Sequence, residues 1–156
     1  MTSPQPTIPL KAGEKAPAFT LSAYKDGEKC QISLSDFHGQ KNVILAFYPK
    51  DDTPGCTREM CGFSEELQKF QALDAEILGI SCDKMERHEK FAGKYSLKQA
   101  LLADDNGKVG RAYGTVDDGK STASRVLFLI DKEGIIKHVV TGMPDHEKLY
   151  DLLKTL

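Results

Sequence analysis

The chain has 156 residues, of which 40% are apolar and 28% are charged, and its formal net charge is -2. This length and composition predict one globular domain over residues 1–156, with a loosely ordered tail at residues 1–12. The interspersed charges exclude the basic field that attracts nucleic acid, and no apolar run is long enough for a membrane span, so we expect neither nucleic acid nor a membrane as a partner.

The first predicted elements are a β-hairpin, a buried strand and a long helix. Within residues 16–39, two short strands flank the turn KDGEK, and Ser35 opens a helical turn that Gly39 ends. Residues 42–49, NVILAFYP, are a continuous apolar run, which predicts a strand covered on both faces. The turn KDDTPG then leads into a helix over residues 56–73. Its apolar face recurs at steps of three and four residues: Met60, Phe63, Leu67 and Phe70.

The remaining predicted elements alternate between strands and helices. Residues 75–83 predict a second buried strand, residues 84–97 an amphipathic helix, and residues 101–114 a short strand and a short helix. Residues 124–142 predict a hairpin around the turn DKEG, and residues 143–156 a final amphipathic helix. This alternation predicts an α/β fold with a mainly parallel sheet and an antiparallel closing hairpin.

Cys56 stands at the first turn of the long predicted helix, directly after Pro54 and Gly55. Sites in open α/β sheets form where a strand's carboxyl end turns into a helix, which is the position of this turn. Unpaired N–H groups and the positive end of the helix dipole favour thiolate over thiol there, so Cys56 is a candidate nucleophile. We expect the polar turn and Cys56 to be exposed; the alternative is a small buried apolar residue.

Cys61 lies five residues after Cys56 in the same predicted helix. In a regular helix, Cα atoms at this spacing are about 8.7 Å apart, whereas a disulfide needs less than about 7 Å. The two sulfurs can therefore join only if the helix unwinds, and Gly62 lowers the free energy of unwinding by roughly 1 kcal/mol relative to alanine. We expect a helix that unwinds on oxidation; the alternative is that Cys61 packs beneath it.

The other two cysteines, Cys30 and Cys82, are expected to be structural. The first ten residues lack the basic and apolar regions of a signal peptide, so we expect a cytoplasmic location, where thiols stay reduced. No two cysteines form a C-x-x-C pair, and the histidines show no ligand spacing, so we expect neither a metal nor a cofactor. Cys82 ends a buried strand and is the second candidate for a partner of Cys56.

Several segments resemble one known family. PKDDTPGC, residues 49–56, fits the P-x-x-x-T-x-x-C signature of peroxiredoxins, and FYPKDDTPGCTREMC is similar to the bacterioferritin comigratory protein or peroxiredoxin Q subfamily. GEKAPAFTL, at residues 13–21, and SRVLFLIDKEGII, at residues 124–136, resemble further family segments. The resemblance implies a thioredoxin-like α/β fold, with a central mixed sheet flanked by helices and an N-terminal β-hairpin. It also implies a thiol-dependent peroxidase that acts on hydrogen peroxide and organic hydroperoxides.

The resemblance also assigns roles to individual residues. It implies that Cys56 is the peroxidatic cysteine, that Thr53 and Arg125 donate to the peroxide, and that Pro49 covers the sulfur. Some members carry the resolving cysteine five residues after the first, others carry it on the next helix, and others lack it. That next helix has no cysteine in this chain, which points to Cys61. A disulfide between the two would be reduced by thioredoxin or a similar dithiol, and a monomer is expected from the subfamily.

Alternatives remain at this stage for two residues and for the function. On spacing alone, Glu59 is a helix-surface acid, whereas the resemblance implies that it orients an arginine. Arg125 alone would be interpreted as a solvent-facing strand residue. A redox-sensing binding module that signals through the same disulfide is the alternative function. A glutathione peroxidase is disfavoured because those sites use a tryptophan and this chain has none.

Overall fold

The computed structural model describes residues 7–156, and residues 1–6 of the predicted tail lie outside the described part. Seven strands form one sheet. In chain order they are β1 (Thr20–Lys25), β2 (Glu28–Ser33), β3 (Asn42–Phe47), β4 (Ala75–Ser81), β5 (Ala100–Ala103), β6 (Val126–Ile130) and β7 (Ile136–Thr141). The helices are α1 (Pro54–Glu65), α2 (Leu67–Gln71), α3 (Met85–Tyr95), α4 (Lys108–Tyr113) and α5 (His146–Leu153), with a 3-10 helix at Leu34–Phe37.

The sheet is mixed, with the strand order β2-β1-β5-β4-β3-β6-β7. Only the central strands pair in parallel, β3 with β4 and β4 with β5. The N-terminal hairpin adds antiparallel to β5, and the closing hairpin adds antiparallel to β3. The prediction of a mainly parallel sheet was therefore wrong, because both hairpins extend the same sheet. The predicted mixed sheet, its flanking helices and the N-terminal hairpin are confirmed.

The predicted buried strand is the centre of the molecule, because every residue of β3 is buried. Its side chains alternate between two apolar layers. Val43 and Leu45 pack on one face of the sheet, and Ile44 and Ala46 pack on the other. α1, α2, α3 and α5 contribute buried residues to the second layer. The helix that follows β3, α1, therefore begins next to this second apolar layer.

The long predicted helix is divided in two at Glu66. The backbone there has φ −98° and ψ 6°, which ends α1 and starts α2. The helix also begins earlier than predicted, at Pro54. Its apolar face is nevertheless the predicted one, since all four of its residues are buried: Met60, Phe63, Leu67 and Phe70. The spacing rule thus found the buried face but not the interruption.

Residues 7–12 contain no helix or strand. Two hydrogen bonds hold this segment against the end of α4 and the loop that follows it. The Thr7 N–H donates to the Asp117 carboxylate at 3.0 Å, and the Leu10 N–H donates to the Tyr113 carbonyl at 3.1 Å. Across residues 7–156, the helices are too short or too polar to cross a bilayer.

Candidate active site

The sheet topology brings the N-terminus of α1 close to Arg125. β3 ends at Phe47, and the chain reaches Pro54, the first residue of α1, after a short loop. β6 runs antiparallel to β3, with Val126 paired to Phe47. The residue before β6 therefore lies beside the end of β3. In this way Arg125 reaches Cys56 although 69 positions separate them in sequence.

One guanidinium group contacts both a thiol and a carboxyl group. Arg125 Nη2 lies 3.3 Å from Cys56 Sγ, and Nη1 donates to Glu59 Oε1 at 2.6 Å. Glu59 follows Cys56 by three residues, so both side chains lie on one face of α1. Glu59 is 1% exposed, and the Arg125 side chain is 19% exposed. The structure thus places Arg125 at the thiol and not on a solvent-facing strand.

The carboxyl group of Glu59 titrates near neutral pH. Burial raises the pKa of Glu59 to about 7, against the lowering effect of the hydrogen bond and the charge of Arg125. When Glu59 is protonated and neutral, the positive charge of Arg125 acts on Cys56 alone. When Glu59 is ionised, two acidic groups on α1 share one cation. The strength of the field at the sulfur therefore depends on the protonation of Glu59.

The expectation that Cys56 is exposed was wrong, because its side chain is 0% exposed. The first turn of α1 lies against the sheet, where Cys56 joins the layer that contains Tyr48 and Met60. A Cβ built on Gly55 would lie 3.0 Å from Arg125 Nη2 and 3.5 Å from Met143 Cε, so these two side chains flank the helix start. Burial alone fits a structural cysteine. The guanidinium 3.3 Å from the sulfur does not fit a structural cysteine, because a charged group is not expected in a purely apolar core.

The helix start also presents polar groups. Thr53 is the N-cap residue but makes no side-chain cap, and its hydroxyl donates to the Lys50 carbonyl at 2.9 Å. The first hydrogen bond of the helix runs from the Thr57 N–H to the Thr53 carbonyl, so the N–H of Cys56 lies before it. The hydroxyl proton of Thr53 is thus used in the bond to Lys50, and the hydroxyl oxygen can still accept a hydrogen bond. Pro49 is half-buried and lies between β3 and this turn.

Cys61 is half-buried on the same helix, and both cysteines are free thiols. α1 is continuous from Pro54 to Glu65, so the two sulfurs cannot join in this conformation. Cys61 lines a surface depression of about 330 Å³ together with Met143 and His146. Burial raises the pKa of the Cys61 thiol, and the charge of Glu65 adds to this effect.

The other two cysteines lie elsewhere. Cys82 packs against the apolar layer on the opposite face of the sheet from Cys56. Burial, with the charges of Asp104 and Asp83, raises the pKa of the Cys82 thiol to about 11. Cys30 is exposed on β2, at the edge of the sheet. The sheet thus separates Cys82 from the sulfur for which it was the second candidate partner.

A buried polar network beneath the site was missed by sequence reasoning. Asp51, expected in an exposed turn, is 1% exposed. Its carboxylate accepts from the Tyr48 hydroxyl at 2.6 Å and lies 2.6 Å from His88 Nδ1. His88 Nε2 faces the Leu102 carbonyl at 2.9 Å, and since a carbonyl only accepts, that nitrogen carries a proton. His88 lies on α3, and no sequence signal paired it with Asp51.

The backbone of Asp51 is fixed from two further sides. Its N–H donates to Asp83 Oδ2 at 2.8 Å, and its carbonyl accepts from Arg87 Nη2 at 3.0 Å. Arg87 in turn donates to the other oxygen of Asp83 at 2.9 Å. The loop two residues before Thr53 is therefore anchored to α3 and to the residues after β4. This anchor holds the start of α1 in place.

Comparison with known proteins places the chain in a family. The sequence pattern of the AhpC/TSA family matches residues 12–139. The chain is 44% identical over 136 residues to a putative peroxiredoxin bcp from Coxiella burnetii, covering 83% of this chain and 87% of the relative. It is 41% identical over 140 residues to a chloroplastic peroxiredoxin Q from Sedum lineare, covering 89% and 73%.

Solved structures with a similar fold are peroxiredoxins as well. The crystal structure of Enterococcus faecalis AhpC matches with a TM-score of 0.86 at 30% identity, covering 92% of this chain and 90% of that one. A reduced 2-Cys peroxiredoxin from Plasmodium vivax matches with a TM-score of 0.87 at 27% identity, covering 94% and 81%. The fold of this chain is thus also found in these two proteins.

Proposed function

The chain belongs to the AhpC/TSA family and is a thiol-dependent peroxidase with a thioredoxin-like fold, and on that premise we propose that Cys56 attacks the hydroperoxide and Cys61 resolves the product. The family uses a hydroperoxide substrate and a thiol reductant. The observation that carries the assignment of Cys56 is the Arg125 guanidinium 3.3 Å from its sulfur. Cys30 and Cys82 have no comparable contact among the described residues.

The first step is an attack by the Cys56 thiolate on one oxygen of the hydroperoxide. A sulfur–oxygen bond forms and the oxygen–oxygen bond breaks, so the sulfur is oxidised to sulfenic acid and the departing oxide takes up a proton as water or alcohol. Negative charge moves from sulfur to the departing oxygen. Donors fixed along that line therefore bind the transition state more tightly than the substrate.

The groups at the start of α1 fit these roles. Arg125 supplies a fixed positive charge beside the sulfur, and the Cys56 N–H supplies a donor at the helix start. Thr53 was expected to donate, but its hydroxyl proton is engaged by the Lys50 carbonyl, so we assign its oxygen to accept from the peroxide O–H. Pro49 is assigned to shield the sulfur from the side of β3.

Access to the buried sulfur requires a small movement. Arg125 keeps one fifth of its side chain exposed, and the flexible Met143 is 42% exposed beside the same helix turn. We assign the approach of peroxide to this side. We expect a rotamer change of Met143 to admit a substrate the size of hydrogen peroxide, and a larger displacement to be needed for bulky hydroperoxides.

Resolution is assigned to Cys61. Its thiolate attacks the sulfenic sulfur, a disulfide forms, and hydroxide leaves as water after taking a proton. Because α1 is intact in the reduced chain, its first turns must unwind for the sulfurs to meet. A dithiol then reduces the disulfide by exchange, and thioredoxin is the proposed dithiol. We further propose that the protein acts as a monomer in the cytoplasm.

Turnover of single-cysteine variants tests this assignment. With thioredoxin and its reductase present, Cys56→Ser should consume no peroxide above background. Cys61→Ser should react once and then stop as sulfenic or sulfinic acid. Cys82→Ser is the matched control and should cycle like the unchanged chain. Normal cycling of Cys61→Ser would remove Cys61 from the mechanism. The relatives do not favour the redox-sensing alternative, which would consume one equivalent of peroxide only.

A further inference from the structure

His146, the first residue of α5, lies against the middle of α1. Its Nε2 is 3.1 Å from the Glu59 carbonyl, and because a carbonyl only accepts, Nε2–H is the donor. The ring also stands edge-on to Phe63, with centroids 4.5 Å apart and planes at 74°. These contacts fall on both sides of Cys61. His146 therefore binds the segment of α1 that must rearrange before Cys61 can reach Cys56.

Gly62 provides the space for this ring. A Cβ built on Gly62 would lie 2.5 Å from His146 Cε1 and 2.7 Å from Nε2, closer than real Cβ contacts allow. The glycine next to Cys61 thus has a second physical role besides making the helix easier to unwind. It allows the imidazole to lie directly on the helix backbone. Any larger residue at this position would push the ring away.

A second side chain, from the residue before β5, binds the next backbone carbonyl of α1. Gln99 Nε2 donates to the Met60 carbonyl at 2.9 Å, and the Lys98 N–H donates to Ser64 Oγ at 3.0 Å. The carbonyls of Glu59 and Met60, which lie between the two cysteines, therefore each accept a hydrogen bond from outside the helix. Unwinding this part of α1 breaks those bonds. The helix is held by its neighbours as well as by its own hydrogen bonds.

We propose that His146 is a positioning residue that sets how fast α1 unwinds after Cys56 is oxidised. The inference rests on the proposed roles of Cys56 and Cys61. While α1 stays folded, Cys56 sulfenate remains beside Arg125 and can attack a second hydrogen peroxide. In that reaction a sulfur–oxygen bond forms, the oxygen–oxygen bond breaks, and sulfinate and water result. When α1 unwinds, Cys61 closes the disulfide first. His146 thereby controls the partition between recycling and over-oxidation.

Replacement of His146 by alanine tests this role. Loss of one hydrogen bond and one ring contact should raise the ratio of disulfide formation to over-oxidation about tenfold, which equals about 1.4 kcal/mol. The ratio is measured by rapid-quench mass spectrometry over a series of peroxide concentrations. His146→Gln, which keeps an Nε2 donor, should give a ratio between those of His146→Ala and the unchanged chain. An unchanged or lower ratio in His146→Ala would overturn the inference.

A matched control separates this effect from general loss of stability. Tyr150 lies on the same helix and meets Phe70 of α2 edge-to-face, with ring centroids 6.1 Å apart and planes at 72°. Tyr150→Ala should lower the melting temperature and leave the ratio within about twofold of the unchanged chain. A shift in the ratio as large as that of His146→Ala would show that any weakening of α5 has this effect, and the specific role would be lost.

A double-mutant cycle with Gly62 tests the contact itself. In the His146→Ala background, Gly62→Ala should slow disulfide formation about fivefold, because alanine is the better helix former. With His146 present, the same methyl group displaces the ring, so disulfide formation should be no slower than in the unchanged chain. Equal slowing in both backgrounds would refute the contact. If instead the unchanged chain forms no Cys56–Cys61 disulfide at all, the proposed function fails and not merely the role of His146.

Discussion

Replacing Arg125 with methionine removes the positive charge at Cys56 while keeping a side chain of similar length. In the structure, Nη2 lies 3.3 Å from the sulfur and Nη1 lies 2.6 Å from Glu59 Oε1. The variant loses both interactions together. We expect the reaction of Cys56 with hydrogen peroxide to become much slower, because the departing oxygen loses its charged donor.

The size of this loss follows from the geometry at Arg125. Two unit charges 3.3 Å apart attract by about 5 kcal/mol at an effective dielectric constant of about 20. Hydrogen bonds to charged groups contribute less in mutational series, about 1.5–3 kcal/mol, because water replaces part of the lost partner. Since the Arg125 side chain is 19% exposed, the smaller range applies. A transition-state loss of about 2.7 kcal/mol corresponds to a rate constant about 100-fold lower.

The assay is a single-turnover reaction with hydrogen peroxide, quenched at increasing times and analysed for the oxidised Cys56 peptide. Arg125→Lys is the matched control, since it keeps the charge but not the fork that reaches both the thiol and Glu59. We expect its rate constant to be about tenfold lower than that of the unchanged chain. A rate constant for Arg125→Met within about threefold of the unchanged chain would refute the role assigned to Arg125.

Three further predictions concern groups around the site. Burial raises the pKa of Glu59 from 4.5 to about 7, so the folded chain holds the carboxyl proton to a higher pH than the unfolded chain does. The stability that this proton provides is lost as the pH rises through 7. The melting temperature of Glu59→Gln, measured relative to that of the unchanged chain, should therefore rise between pH 5 and pH 8. His88→Ala leaves a buried carboxylate without its partner and should cost about 3–5 kcal/mol in urea unfolding, whereas His38→Ala, at an exposed histidine, should cost under about 0.5 kcal/mol. Gly55→Ala places a methyl group 3.0 Å from a guanidinium nitrogen and should slow the first reaction several-fold without changing the fold, as measured by rapid quench and circular dichroism.

The order of strands and helices was predictable, because local patterns specify it. The apolar run at β3 and the spacing on α1 identified a strand buried on both faces and the buried side of a helix. Strand pairing was less predictable, since it joins segments far apart in sequence. Nothing local shows that the N-terminal hairpin pairs with β5, 79 residues after Ala23, and so the proportion of parallel strands was overstated.

The site was predictable at Cys56 and only partly elsewhere. The turn before α1 marks Cys56 as special, but its composition gave the wrong exposure, because Asp51 is polar and is nevertheless buried by His88. Arg125 was found only through the family resemblance, since its neighbours in sequence are those of any strand. His146 gave no signal, because its contact with Gly62 depends on how α5 docks on α1.

Mass spectrometry of the protein after one equivalent of hydrogen peroxide tests the central claim most directly. The account predicts that one intramolecular disulfide forms, that it joins the peptides containing Cys56 and Cys61, and that Cys30 and Cys82 stay reduced. A disulfide that joins Cys56 to Cys82, one that joins two chains, or an unmodified Cys56 would contradict it.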